Sequence, residues 1–289
     1  MLRALVAVAV GATGVARAAD VCDRACLQNY LDRYLAALVA HDPGPLPWAR
    51  DVRYTENGQA GFIGTLFESG TPVLLALRLK VEEQTISEVE TLVARTRFGS
   101  ALPSAGQSVE DRGQPRPQFL RTVPEKERLA RAELLRIANA YFTGLAANTG
   151  RNTAPFAATC NRWENGTQTT NAPRPAAAGA GAGPDILAMS CDAQQKSGFF
   201  SFVTSIRNRR FPVVDRERGL VLAFAFFEHA GRVKELHLTS GETVPSPVRA
   251  PTTLEIAELF QIDKGLIDQI EAVLNVAPYG MTSAAWDAR

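Results

Sequence analysis

Apolar residues recur at helical spacing in two segments of the 289-residue chain, residues 20–40 and 125–148. Because side chains three and four positions apart share one face of a helix, this spacing predicts two amphipathic helices. The apolar faces comprise Leu27, Tyr30, Leu31, Tyr34, Leu35 and Leu38 in the first helix, and Leu134, Ile137, Ala138, Tyr141 and Leu145 in the second.

Shorter runs of Val, Leu, Ile and Thr between turn residues predict β-strands. A short strand pair is expected over residues 54–67, and longer strands over 73–79, 85–94, 198–207, 211–214, 220–228 and 233–239. Two C-terminal helices are expected over 252–261 and in the segment that carries Leu266, Ile267, Ile270, Val273 and Leu274. The pattern predicts an α+β protein in which a helix packs on a curved, hairpin-built sheet.

A stretch of the chain occurs twice, at residues 34–58 and 141–166. In each copy a helix is followed by a Pro-aromatic pair, and that Pro lies 11 positions before the Gly of a Glu-Asn-Gly triplet. The matched positions are Pro47-Trp48 with Pro155-Phe156, and Glu56-Asn57-Gly58 with Glu164-Asn165-Gly166. A later echo pairs residues 86–90 with residues 233–237. Such self-similarity predicts a tandem duplication.

The repeat suggests how the chain is divided. A first unit is expected over residues 20–96, a connecting segment over 97–124, and a second unit over 125–240. The second unit contains an Ala/Gly/Pro-rich loop at 172–184, and a helical cap is expected over 241–289. The connecting segment is rich in Gly, Pro and Ser and lacks periodicity, which is typical of irregular structure.

The N-terminus has the pattern of a signal peptide over residues 1–19. Arg3 precedes an apolar run at 4–10, and Ala16-Arg17-Ala18 forms a small-residue cleavage site. The run is shorter than the ~20 residues that a membrane helix needs. We therefore expect cleavage after Ala18 or Ala19, no membrane partner afterwards, and export to the periplasm or the extracellular space.

Export makes the four cysteines candidates for two disulfides. Of the three possible connectivities, we predict Cys22–Cys26 and Cys160–Cys191. Two alternatives remain open at this stage, a metal site and a catalytic thiol at Cys160. No CxxC pair or nearby histidine supports a metal site, and no metal or cofactor is predicted.

Composition narrows the range of functions. The hydrophobic fraction of 46% supports a sizeable core, and the 31 basic and 30 acidic residues give a net charge of only +1. Nucleic-acid binding therefore has little support. The sequence contains no P-loop, dinucleotide fingerprint, nucleophile elbow or HExxH motif. Phosphoryl transfer, nucleotide-dependent hydride transfer and zinc proteolysis are accordingly not expected.

A helix followed by a hairpin-built sheet, present twice, resembles the nuclear transport factor 2-like (ketosteroid isomerase/polyketide cyclase-like) cone. The finer pattern resembles an uncharacterised family of secreted fungal and bacterial proteins. That second resemblance rests on residues 160–166, 209–215, 220–229 and 278–281, together with Trp286. Cones of this kind include isomerases, dehydratases, lyases and plain binding modules, so the resemblance implies a fold without selecting one function.

The candidate catalytic residues are Glu56, Glu164, His229, Tyr34 and Tyr141. A carboxylate in an apolar pocket can act as general acid or base, and a phenol or amide can stabilise an oxyanion. Each also has a structural interpretation: Glu-Asn-Gly is a common turn, and tyrosines on a helix often belong to the core. The candidate substrate-binding residues are Asn57, Asn165, Trp163, Tyr54 and Arg209.

Two hypotheses follow. The first is an exported, cofactor-independent lyase, isomerase or dehydratase that acts on an aromatic or polyketide-like molecule. The alternative is an exported ligand-binding or interaction protein without catalysis. Both take a small molecule as the expected ligand, and the sequence leaves the oligomeric state open.

Overall fold

The computed structural model describes residues 3–9 (backbone only), 22–50, 59–96, 105–146, 148–151, 154–173 and 185–282. The helices are α1 (Arg24–Ala40), α2 (Gln107–Arg112), α3 (Pro117–Leu120), α4 (Arg131–Ala146) and α5 (Cys191–Lys196). The strands are β1 (Arg3–Ala9), β2 (Gln59–Glu68), β3 (Thr71–Glu82), β4 (Thr85–Ala94), β5 (Phe156–Glu164), β6 (Thr167–Gln168), β7 (Ser205–Asp215), β8 (Leu220–His229), β9 (Glu235–His237), β10 (Thr243–Pro245), β11 (Thr252–Asp263) and β12 (Leu266–Pro278). Short 3-10 turns cover Glu125–Glu127, Ile186–Ala188 and Phe199–Phe202.

Two sheets pack face to face, and each carries a long helix on its outer face. The first unit has α1 and a four-stranded sheet of order β1-β2-β3-β4; the second has α4 and a six-stranded sheet of order β6-β5-β12-β11-β8-β7. Apolar side chains from both sheets form the layer between them, for example Leu74 from β3 and Leu259 from β11. Val109 of α2 and Phe119 of α3 extend this layer, so the connection between the units is part of the core.

In the first unit, one face of α1 packs on the sheet. Leu27, Leu31 and Leu35 recur at helical spacing and contact the outward-facing side of β3, which carries Leu75 and Leu77. Asp23 caps the helix by accepting a 2.9 Å hydrogen bond from the Cys26 amide, and Cys22 is joined to Cys26 by a disulfide. The predicted helix and the predicted strands β3 and β4 are confirmed.

In the second unit, α4 packs on the other sheet in the same way. Ile137, Tyr141 and Phe142 are buried against the core strands β8 and β11. The Phe142 ring contacts Phe227 and Phe260 edge to face, with centroid distances of 5.8 Å and 5.6 Å. The predicted helix and strand β8 are confirmed here.

The predicted C-terminal helices are wrong. Residues 252–261 lie in β11, and the apolar run from Leu266 to Leu274 lies in β12. The two strands pair continuously from Thr252 with Pro278 to Asp263 with Leu266. Leu266, Ile267, Ile270, Val273 and Leu274 satisfy the helical spacing rule. In a strand that is buried on both faces, however, apolar side chains at both odd and even positions are buried, one set on each face, and strict alternation is lost. The richness of these segments in Ile and Val favours the strand.

Three other strand boundaries differ from the sequence expectation. Gln59–Glu68 forms one strand instead of a short pair; residues 51–58 lie outside the described residues. The expected strand at 198–207 begins only at Ser205, after the Phe199–Phe202 turn, and the one at 233–239 is reduced to Glu235–His237.

The Pro-aromatic pairs have the same structural role in both units. Trp48 forms a parallel bridge with Ile86, and Phe156 pairs in parallel with Ile267. In each case the isoleucine amide donates to the proline carbonyl, at 2.7 Å to Pro47 and at 2.8 Å to Pro155. The β3–β4 hairpin therefore corresponds to the β11–β12 hairpin. The predicted echo at residues 233–237 is wrong, because that segment forms a small separate ribbon of β9 and β10.

Strand β1 lies within the predicted signal peptide and pairs antiparallel with β2, from Arg3 with Thr65 to Ala9 with Ala60. Cleavage after Ala18 or Ala19 stays a prediction, and it would leave β2 at the edge of its sheet. None of the helices in the described ranges is long and apolar enough to cross a membrane.

Candidate active site

A cluster of polar side chains is enclosed between α4 and the six-stranded sheet. Its members, called here the buried acid cluster, are Tyr141 of α4, Arg162 and Glu164 of β5, and Glu258 of β11. Their exposed fractions are 2%, 4%, 9% and 0%, so the cluster is almost sealed from solvent.

Strand register brings the two carboxyl groups to the same row of the sheet. Glu164 is paired with Ala272 on one side of β12, and Glu258 is paired with the same Ala272 on the other. Two strand spacings put the Cα atoms of the two glutamates about 10 Å apart. The small side chain of Ala272 leaves the space between them for longer side chains.

Arg162 is held by several acceptors. Its Nε lies 3.5 Å from Glu164 Oε1 and donates to the Thr169 hydroxyl at 3.1 Å. Its Nη2 donates to Gln194 Oε1 at 2.6 Å, and its Nη1 lies 3.4 Å from the Tyr141 hydroxyl. Burial acts to lower the pKa of Arg162, but the Glu164 charge opposes it and the pKa is raised overall. The guanidinium therefore stays charged.

Glu258 is the fully buried carboxylic acid of the cluster. Among the described residues, neither of its oxygens has a hydrogen-bond partner of ordinary geometry, although the Tyr141 hydroxyl is close enough to interact with it. Burial, followed by repulsion from Glu164, raises the pKa of Glu258 to about 8. Burial also raises the pKa of Tyr141 well above its usual value. At neutral pH the cluster thus has two neutral acids beside one ion pair.

The insertion between β6 and β7 covers this cluster. Gln194 of α5 bonds to Arg162 as described, and the Phe200 ring lies 5.1 Å from the guanidinium carbon. The Cys160–Cys191 disulfide ties α5 to β5, which confirms the second predicted pairing. All four cysteines are in disulfides, so the metal-site and catalytic-thiol alternatives for them are wrong.

Of the residues proposed from the sequence, Tyr141 and Glu164 are brought together. Tyr54, Glu56 and Asn57 lie outside the described residues, and Tyr34 is half-buried in the second half of α1. The Tyr34 ring meets Trp48 edge to face at 6.4 Å, and burial raises its pKa.

Asn165 and Trp163 have structural surroundings. Asn165 adopts a left-handed conformation with φ 43°, and its side chain accepts from the Leu274 amide and donates to the Leu274 carbonyl, both at 2.9 Å. Trp163 points to the opposite face of β5, where the Arg116 guanidinium stacks 3.4 Å from its ring centroid. Neither contacts the buried acid cluster.

His229 and Arg209 also lie apart from the cluster. Ala223 pairs with Glu258, and His229 is six residues further along β8, which corresponds to about 20 Å. The His229 ring is buried and stacked on Phe202, and burial lowers its pKa. Arg209 lies in an open groove between α4 and β7.

Sequence reasoning missed Arg162 and Glu258. Side chains alternate between the two faces of a strand, so Arg162 lies on the same face of β5 as Glu164. Recognising this segment as a strand would have been enough to pair the two residues. Glu258 was missed because its segment was predicted to be a helix. In a strand, the order Ile256, Glu258, Phe260 places an acid between two core residues.

The first unit has no acid at the position that corresponds to Glu258. Val81 pairs with Ile86, and Ile262 pairs with Ile267, so the two hairpins align at these residues. Counting four residues back along each strand matches Leu77 with Glu258, and Leu77 lies in an apolar core. The complete cluster therefore belongs to the second unit.

Comparison with known proteins assigns the region that contains the cluster to a family. The family described as "Domain of unknown function (DUF8021)" matches residues 127–274, just over half the chain. The chain belongs to this family. The DUF8021 region runs from before α4 into β12 and contains all four members of the buried acid cluster.

Other comparisons add little to the DUF8021 assignment. One similar solved structure is that of AusH from Aspergillus nidulans, which is 14% identical in sequence and has a TM-score of 0.30. The match covers 54% of this chain and 90% of that chain. A similarity this slight supports no argument about fold or function. No curated protein matches the chain.

Proposed function

We propose that the second unit is the working half of an exported, cofactor-independent enzyme of the lyase, isomerase or dehydratase type. The observation that carries this is Glu258, a fully buried acid whose pKa is raised to about 8 and whose oxygens lack ordinary partners. Unpaired buried carboxyls are costly for folding, and sites with strongly perturbed pKa values are often functional.

The cluster supplies the groups that proton transfer on a small carbonyl compound requires. In an isomerisation, the Glu164 carboxylate removes a proton from the carbon next to the carbonyl, and the electron pair of that bond generates an enolate. Tyr141 and protonated Glu258 donate hydrogen bonds to the enolate oxygen, and Glu164 returns the proton to another carbon. In a dehydration, Glu164 removes the same proton, the electron pair of that bond forms a carbon–carbon double bond as the adjacent carbon–oxygen bond breaks, and Glu258 gives its proton to the departing hydroxyl group, which leaves as water.

The surroundings favour an apolar, aromatic or polyketide-like substrate. The ring centroids of Phe142, Phe156 and Phe260 lie 5.5, 6.3 and 5.2 Å from that of Tyr141. Because the cluster is nearly sealed, substrate entry requires α5 or the Phe199–Phe202 turn to move away from it. The cluster lies between the long helix α4 and the sheet that contains the parallel pair β5 and β12. A helix packed on a curved sheet is the arrangement implied by the resemblance to a nuclear transport factor 2-like cone, and this supports the proposed location.

Export is part of the proposal. Two disulfides fit an oxidising compartment, and the N-terminal pattern fits a signal peptide. The first unit, with Leu77 in place of the acid, then has a supporting role.

The decisive experiment is incubation of the protein in D2O with a panel of aromatic and polyketide-like ketones and alcohols. Deuterium incorporation and changes of mass report isomerisation and elimination. We expect Glu258→Gln, Glu164→Gln and Tyr141→Phe each to lower the rate by about 100-fold or more. Wild-type activity should fall as pH rises through about 8, because Glu258 then ionises.

Glu255→Gln is the matched control. Glu255 lies three residues from Glu258 on β11, faces the other sheet, and also has a raised pKa, chiefly through burial. Equal loss of activity in the Glu255 and Glu258 variants would refute the assignment, as would turnover that survives all three cluster substitutions.

A second candidate is an exported binding protein. It is favoured by the sealed cluster and by the hydrogen bonds from all three side-chain nitrogens of Arg162, which together resemble a structural network. In that case a panel compound would raise the melting temperature without deuterium exchange or mass change.

A further inference from the structure

The groove between α4 and β7 contains an arginine with unusual surroundings. Its walls are formed by Ala132, Leu135, Arg136 and Asn139 of α4 and by Arg209 and Phe211 of β7. Arg136 at the rim is paired with Glu133 at 2.6 Å, so these two charges offset each other. Arg209 remains as the unmatched charge of the groove.

Arg209 differs from its neighbours on the same strand. Arg207 pairs with Glu228 at 2.7 Å, and Arg210 pairs with Glu90. In the described part of the chain, Arg209 donates only to neutral acceptors. They are the Ile206 carbonyl at 3.1 Å, the Asn139 side-chain oxygen at 3.2 Å and the Thr143 hydroxyl at 3.0 Å.

Those three bonds fix the guanidinium and leave one amino group available. The bonds use Nε and Nη1, and Nη2 makes no hydrogen bond to any described residue. Nη2 is accessible to solvent, so it reaches the groove. Burial lowers the pKa of Arg209, and no acidic group among the described residues acts to raise it. A desolvated, oriented cation of this kind gains more from an anion than a free surface arginine does.

A bulge in β7 produces this orientation. The pairing with β8 shifts between Arg207 and Arg210, and Asn208 has a φ of 51°. Arg207 and Arg210 therefore both lie over β8 rings, Phe226 and Phe224, while Arg209 turns toward α4. Bulges on edge strands often redirect a side chain toward a functional site.

We propose that this groove binds a small organic monocarboxylate, whose carboxylate pairs with Arg209 and whose apolar body lies on Leu135 and Phe211. Both apolar side chains are partly buried and pack on the core beneath them. The Phe211 ring lies 5.8 Å from Phe142, which gives the wall of the groove a firm backing. The site is separate from the buried acid cluster and requires no turnover.

The test uses 2-naphthoate and its neutral counterpart 2-naphthylmethanol, titrated into the full chain and followed by calorimetry. We expect wild type to bind the carboxylate at least about tenfold more tightly than the alcohol. In Arg209→Gln this preference should disappear. Arg209→Lys, which keeps the charge but loses the planar fork, should show a reduced preference.

Arg216→Gln is the matched control, because Arg216 is exposed and its Nε bonds only to the Leu129 carbonyl at 2.9 Å. It should keep the full preference for the carboxylate, and circular dichroism should show that each variant is folded. The proposal is overturned if wild type binds the two compounds equally or not at all at millimolar concentration. It is also overturned if Arg209→Gln retains the preference. Since no catalysis is measured, this outcome is independent of the proposed enzyme.

Discussion

Replacing Glu258 by Gln should change how the stability of the protein depends on pH. In the folded state the pKa of Glu258 is raised from 4.5 to about 8, chiefly by burial. Below about pH 4.5 both folded and unfolded states carry the proton, so this residue contributes no pH dependence. Between about pH 4.5 and pH 8 the folded state keeps the Glu258 proton, whereas the unfolded state has lost it. The free energy of unfolding must therefore fall as pH rises through this window.

The magnitude follows from the difference between the two pKa values. Each unit corresponds to about 1.4 kcal/mol, and after allowing for partial titration near each pKa, wild type should lose roughly 3.5 kcal/mol between pH 5 and pH 8 through Glu258 alone. For a chain of this size that is a decrease in melting temperature of about 7–14 °C. Gln has nearly the same volume and does not ionise, so Glu258→Gln should lack this loss.

The measurement is a series of thermal and urea unfolding curves from pH 5 to pH 8 for wild type and Glu258→Gln. Glu235→Gln is a suitable control, because it makes the same substitution at an exposed glutamate on β9, outside the core. Parallel curves for wild type and Glu258→Gln would refute the reasoning, because they would mean that Glu258 titrates as a solvated carboxyl.

Three further predictions concern stability and the comparison of the units. Cys160→Ser with Cys191→Ser should lower the free energy of unfolding by about 3–4 kcal/mol, since the disulfide closes a separation of 31 residues; an unchanged urea midpoint would contradict this. Asn165→Ala should cost about 2–3 kcal/mol in urea unfolding through lost bonds to β12 and the left-handed backbone. Asn165→Gly should lose less, because glycine adopts a positive φ without strain. Leu77→Glu should destabilise the protein by several kcal/mol at pH 8 and less at pH 5, in contrast to the tolerated Glu258; equal effects at both pH values would show that the new acid reaches solvent.

The parts of the fold that were predictable are those whose periodicity is unambiguous. Helix α1 shows its apolar residues on one face, and β3, β4 and β8 are short runs between turn residues. The cysteine pairing chosen from three possible connectivities is the one that the structure has. The β11–β12 hairpin was not predictable in the same way, because a strand buried on both faces has no alternation to distinguish it from a helix.

The candidate site was only half predictable for the same reason. The internal repeat pointed to Tyr141 and Glu164, and both lie in the buried acid cluster. Glu258 joins them only through the strand pairing of β11 with β12, a contact across the sheet that no local pattern encodes. His229 and Trp163 were attractive as chemistry, but strand length and face place them elsewhere.

The layer of apolar side chains between the two sheets has a consequence for engineering of the chain. The sheet of the first unit is the surface against which the sheet that carries Glu258 packs. Substitutions at residues such as Ile63 and Leu74 of the first unit would therefore disturb the packing of the second unit as well. Separating the halves between α1 and α4 would therefore yield two exposed surfaces instead of two small proteins.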